Sequence, residues 1–164
     1  MASIGHIALG VAASRHTGKR NVYALLILST ISYLPDLDVI GYWLGIPYEA
    51  PFGHRGATHS LFVALILGTV FGFVGRIFQV SFRRFAVISI VLLASHGILD
   101  AMTTGGLGIE FFWPFSTARY FLPIRFIPVS KMGLHFWDPY QLRVFAIELV
   151  LFLPFFIYGL WKKT

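Results

Sequence analysis

With 164 residues, 57% of them hydrophobic and 12% charged, and a mean hydropathy of +0.75, the chain is one domain by length and too apolar for an ordinary soluble fold, which places it in a membrane. The absence of cysteine excludes disulfides, thiolate zinc sites, iron–sulfur clusters and cysteine nucleophiles, so any metal has to be held by His, Asp and Glu. The net charge of +6 sits in short basic clusters at the ends of apolar runs, a pattern of membrane topology that gives no reason to expect a nucleic-acid partner.

Met1 to Ser14, with Ile4, Ile7, Ala8 and Val11 at helical spacing, predicts a short N-terminal helix of about 20 Å, too short to span comfortably and without the layout of a cleavable signal. Arg15 to Arg20 predicts a basic turn that reverses at Gly18, with His16 a solvated loop residue. Asn21 to Leu44 is the next span, apolar through Ser32 and then interrupted by Pro35, Asp36 and Asp38, where proline stops or kinks the helix. A loop over residues 45–53 carries Pro47 and Pro51. Ser60 to Val80 is the third span, Ser81 to Arg84 a tight basic turn, and Phe85 to Met102 the fourth span. Thr103 to Arg143, rich in glycine, proline and aromatics, has about forty residues and exceeds an ordinary connection, which predicts a structured cap. Val144 to Trp161 is the last span. The expected fold is all-α: an integral membrane bundle of about four spanning helices plus a short N-terminal helix, with an extramembrane aromatic-rich cap, all in a single domain over residues 1–164.

Polar groups inside such spans are costly and mark function. His96 and Asp100, four apart, share one helix face and can chelate one ion or bridge two; the alternative is a hydrogen-bonded pair. Asp36 and Asp38 can face the same way only across a local break, which Pro35 supplies, and two carboxylates there suit a dinuclear site in which one binds metal and the other binds metal or acts as general base, with helix capping the alternative for Asp38. His59 opens the third span as a ligand, and His54 is a ligand, an orienting residue or a proton donor to a leaving group. Arg55 offers a planar fork for a phosphate or carboxylate, or else anchors at the interface. Thr58 reads as an N-cap and Ser60 as a small packing residue. In the cap, Glu110 and His135 are candidates for a second metal's shell outside the main ligand set, and Trp113, Tyr120, Trp137 and Tyr140 would anchor in the headgroup region.

Topology tests this set independently. Arg15, Lys19, Arg20, Arg76, Arg83, Arg84, Lys162 and Lys163 make eight of the 13 basic residues, and on one face they make that face cytoplasmic. Alternating helices then bring His6, Asp36, Asp38, His59, His96 and Asp100 to the opposite end, roughly 12 to 25 Å into a layer about 30 Å thick.

The run of an N-terminal His, LPDLD, HRGATHS, HGILD and FFWPFSTARYFLPIRFIPVS resembles the YdjM-like family of bacterial inner-membrane-associated metal-dependent hydrolases, some members of which are linked to the LexA-controlled damage response. The resemblance covers nearly the whole chain. It implies a metal site made of His6, Asp36, Asp38, His54, His59, His96 and Asp100. A weaker likeness is to zinc-dependent phospholipase C, whose helical scaffold also presents His and Asp to zinc.

The expected function is hydrolysis of an ester or phosphoester of a lipid-like or phosphorylated substrate in the bacterial inner membrane, with the site toward the periplasmic face. One or two divalent ions, zinc first and manganese or iron also compatible with the donors, would activate water; Asp36 or Asp38 is the base, Arg55 the charge stabiliser and His54 a proton donor. The alternative is an intramembrane metal- or proton-binding transport protein without hydrolytic activity.

Overall fold

A computed structural model describes residues 3–18, 22–131 and 137–161. Along the chain run α1 (Ser3–Ser14), α2 (Val22–Tyr33), a 3-10 stretch Leu34–Val39, α3 (Ile40–Trp43), a 3-10 turn Ala57–His59, α4 (Leu61–Phe71), a 3-10 stretch Gly72–Phe78, α5 (Phe82–Ala101) and α6 (Pro139–Leu160). No strand occurs among the described residues beyond two isolated bridges, Thr103 to Ile127 and Ile109 to Tyr120. The fold is all-helical.

Four stretches are long and apolar enough to cross a membrane: Val22–Trp43, Leu61–Phe78, Phe82–Ala101 and Pro139–Leu160. At 1.5 Å per residue such lengths cover about 30 Å. The shortest, with 18 residues, gains reach because its 3-10 portion rises about 2 Å per residue.

Helix α1, with 12 residues, is packed between α2 and α6. Small side chains make that possible: a Cβ on Gly10 would lie 2.4 Å from the Cα of Ser29, so the α1 and α2 backbones touch there. At the far end of α1, Arg15 donates to the carbonyls of Tyr158 (2.8 Å) and Trp161 (2.9 Å), so α1 and α6 end on the same face. The middle of the bundle is filled by Leu28, Ile31, Ala64, Phe85, Leu92 and Leu93.

Capping chemistry moves three expected boundaries. Ser81 Oγ accepts from the Arg84 N–H, so α5 begins at Phe82 and Arg83 and Arg84 stand on its first turn instead of in a loop. Asp138 caps α6 through the Tyr140 N–H at 2.8 Å with Pro139 at the first helical position, so the last span starts five residues before Val144. Ser60 and not Thr58 caps α4, accepting from Val63 at 3.1 Å.

The cap folds back onto the end of α5 by main-chain bonds: Leu122 N–H to Ala101 O, Ile127 N–H to Met102 O and Thr104 N–H to Ile127 O. Ile109 and Ile127 are its fully buried anchors. Tyr120, Trp137 and Tyr140 are exposed, and Trp113 packs edge-on against Phe52 and Phe62.

Candidate metal centre

Asp36 arrives on the 3-10 stretch Leu34–Val39, which has Pro35 in its first turn, His59 on the turn before α4, and His96 and Asp100 on successive turns of the inner face of α5. One imidazole or carboxylate atom from each of the four lies within 4.8 Å of the others, and all four side chains are 0–3% exposed. The His96 Nε2 to His59 Nε2 distance is 3.1 Å, His96 Nε2 to Asp36 Oδ1 3.5 Å, and His59 Nε2 to Asp36 Oδ1 and to Asp100 Oδ2 3.7 Å each. A tetrahedral ion with bonds of about 2.0–2.1 Å holds its donors about 3.3–3.4 Å apart, so these spacings are those of ligand edges.

The outer hydrogen bonds decide which ring nitrogens face inward. His96 Nδ1 lies 2.8 Å from the Ser32 carbonyl, which only accepts, so Nδ1 carries the proton and Nε2 presents its lone pair. His59 Nδ1 meets Asp38 Oδ2 at 3.2 Å, which likewise turns the other nitrogen inward. Two lone pairs facing each other at 3.1 Å repel unless a cation or a proton sits with them. Among the described residues, neither oxygen of buried Asp36 has a donor at hydrogen-bond distance.

Charge counting points the same way. Asp36, Asp38 and Asp100 surround His59, and one guanidinium, Arg55, stands among them with its Nε 3.0 Å from Asp100 Oδ2. With neutral histidines the three carboxylates outnumber the one guanidinium beside them among the described residues, a surplus of negative charge that a divalent cation would offset. Burial alone would lower the His59 pKa, but the carboxylates of Asp36, Asp38 and Asp100 outweigh it and raise it to about 9. Without a metal, a proton on His59 therefore takes part of the cation's place at neutral pH.

Around this centre stands a second set of contacts. Asp38 accepts from His54 Nδ1 (2.6 Å), the Arg55 N–H (3.1 Å) and Thr58 Oγ1 (2.6 Å), so it caps no helix and Thr58 serves Asp38. Asp38, His54 and His59 also form a group able to hold an ion. The 2.6 Å contact between His54 and Asp38 is, however, a hydrogen-bond length, shorter than a ligand edge. Burial pushes the His54 pKa down, against the pull of Asp38. His6 stacks on His96 with ring centroids 3.6 Å apart and places Nε2 3.3 Å from Asp100 Oδ1, outside the four-donor group.

Arg55 differs most from its expected setting. It is 1% exposed, and each of its nitrogens faces a protein oxygen: besides Nε beside Asp100, Nη1 donates to Gly105 O (2.8 Å) and Nη2 to Thr103 Oγ1 (3.0 Å). Its backbone φ of +66° is rare for a side-chain-bearing residue, and it aims the N–H at Asp38 while its carbonyl accepts from Glu110 N–H. Arg55 thus braces Asp100 from inside the protein and offers no open fork to a phosphate. Glu110, 1% exposed, pairs with Arg119 at 2.9 Å and belongs to the cap's own fastening. His135 lies outside the described residues.

Residues that sequence reasoning passed over complete the site. Arg119 also donates to the carbonyls of His54, Tyr48 and Ala50, tying the 45–56 loop to the cap. Glu148, fully buried in α6, accepts from the N–H groups of Ile4 (2.8 Å) and Gly5 (3.4 Å) and so fixes the start of α1 beside His6. A lone glutamate in the middle of an apolar span was a readable signal. The Ser32 carbonyl was not, because a main-chain group has no sequence mark.

The whole chain, residues 1–164, matches the family described as YdjM inner membrane protein. It is 38% identical over 146 residues to the inner membrane protein YbcI of Escherichia coli (strain K12), covering 88% of this chain and 82% of that protein. No solved structure matches the chain. With four apolar helices of spanning length and a match along its whole length, the chain belongs to the YdjM family and is a multi-pass inner membrane protein whose buried His/Asp cluster can hold a metal ion.

Proposed function

We propose that residues 1–164 form a single metal-dependent hydrolase domain that cleaves an ester or phosphoester of a lipid-like substrate, with its centre toward the periplasmic side. The observation that carries this reading is the pair of facing Nε2 lone pairs of His59 and His96, closed by Asp36 and Asp100. Those four residues hold one divalent ion, zinc in the first place, with manganese or iron also suited to two imidazoles and two carboxylates. Such an ion supplies Lewis acidity to an ester or phosphoester and makes water more acidic.

The protein's own groups have separate tasks. Asp38 keeps the His59 proton on Nδ1, Ser32 does the same for His96, and Arg55 holds and neutralises one side of Asp100. His54, at 4% exposure less deeply buried than His6, His59 and His96, is held by Asp38 through Nδ1, which leaves Nε2 as the nitrogen that would carry a proton to a leaving group. His6 packs on His96 and holds Asp100 Oδ1.

A second reading rests on the closure of the site: four protein donors fill a tetrahedron, whereas catalytic zinc keeps a position open. In that case the ion is resident and non-catalytic. A transport path is disfavoured by the apolar core of Leu28, Ile31, Phe85, Leu92 and Leu93 between the cluster and the other face. The test is hydrolysis of phospholipid or polyprenyl phosphate in detergent by protein with its full ion content. Turnover that a chelator abolishes and one added divalent metal restores supports the hydrolase; no turnover on either substrate by ion-loaded protein, with the ion still bound, leaves the resident site.

A further inference from the structure

Away from the metal centre, a cavity of about 500 Å³ opens between α1, α5 and α6. Its walls are apolar, made by Leu9 and Ala13 of α1, Val91 and Leu92 of α5, and Pro154 and Phe155 of α6. The volume falls within the range of about 300–1,000 Å³ usual for small-molecule sites. Its mouth has another chemistry. A second cavity of about 420 Å³ shares His16, Val87 and Ile88 with the first and is lined by Arg83 and Arg84.

Both arginines are exposed, and neither has an ion-pair or hydrogen-bond partner for its side chain among the described residues. The chain itself offers none nearby: its seven acidic residues, Asp36, Asp38, Glu49, Asp100, Glu110, Asp138 and Glu148, lie in the cap, in the 45–56 loop tied to it, at the cap ends of helices or in the middle of α6. A groove that is apolar along its length and carries uncompensated guanidinium groups at the membrane face matches an amphiphile with an anionic head. Guanidinium binds phosphate oxygens through paired donors.

We propose that this groove binds one anionic phospholipid, its phosphate on Arg83 and Arg84 and one acyl chain along the α1/α5/α6 walls. The bound lipid is not the substrate of the metal centre, because Arg83 and His96 stand thirteen residues apart on α5, about 20 Å along the helix. The proposal therefore stands or falls independently of the hydrolase reading.

The test uses the full chain in detergent micelles, titrated with phosphatidylglycerol or phosphatidylcholine and read by native mass spectrometry. The wild type is expected to bind the anionic lipid roughly tenfold or more tightly than the zwitterionic one, with a stoichiometry of one. Arg83→Gln/Arg84→Gln abolishes that preference, and Val91→Trp, which fills the groove from an exposed wall position, weakens both lipids. Arg76→Gln, near the same face but outside both cavities, changes neither. Metal content stays at the wild-type level in all three variants. Equal affinity of the wild type for the two lipids overturns the proposal. So does a loss in Arg76→Gln as large as in the double variant, which would mean diffuse surface attraction, or undiminished binding in Val91→Trp.

Discussion

Both ring nitrogens of His59 are committed, Nδ1 to Asp38 and Nε2 to the cluster, which makes this side chain the place where proton and metal compete. Its folded, metal-free pKa of about 9 lies above the ordinary 6.5, so its ion pairs stabilise that state fully below pH 6.5 and the contribution is lost as the pH rises through about 9. Metal binding has the opposite slope, because the ligand must lose that proton: apparent affinity is expected to rise by about tenfold per pH unit toward pH 9 and then level off. Competitive chelator titrations across this range check it, and a flat profile would contradict it. Arg55 gives a second test. Lysine cannot serve Asp100, Thr103 and Gly105 at once, so Arg55→Lys is expected to weaken metal binding by about tenfold or more through the loosened Asp100. Unchanged affinity with lost turnover would instead mark a direct contact with substrate. At this scale His59, His96, Asp36 and Asp100 were legible because each is a polar group in an apolar run. What Asp38 and Arg55 touch was not, since their partners lie 16 to 50 residues away in sequence.

Helix α5 is the element on which the centre depends, and Gly97 is where it allows the approach of the Ala57–His59 turn. A Cβ there would lie 2.8 Å from the His59 carbonyl oxygen, closer than real Cβ contacts come. Gly97→Ala is therefore expected to displace His59 from His96 and reduce metal affinity while helix content by circular dichroism stays near wild type. Wild-type affinity would show that the backbone yields there without consequence for the ligands. The spans themselves were readable from hydropathy and from basic clusters at their ends. Their starts were less so, because capping by Ser81 and Asp138 depends on which polar side chain bends back onto the helix, and a cluster of arginines or a proline next to it masks that signal. The cap's main-chain pairing with the end of α5 had no periodic pattern to reveal it.

Across the whole molecule, α1 and α6 run toward the basic face and α2 and α5 away from it, so all the cluster residues meet at the cap end. The sequence anticipated this convergence from charge placement alone. A cysteine at exposed position Ala118 is expected to react with a membrane-impermeant thiol reagent from the periplasmic side. Labelling only from the cytoplasm would reverse the orientation and leave the cluster's geometry intact. The central claim, that this bundle is built around one divalent ion, is tested most directly by metal analysis of protein purified without added ions. Close to one equivalent of a divalent metal is expected in the wild type and in His16→Ala, whose ring lies at the other end of α1, with a sharp loss in His59→Ala, His96→Ala and Asp100→Ala. Equal metal content in all five proteins, or none in the wild type, would contradict it.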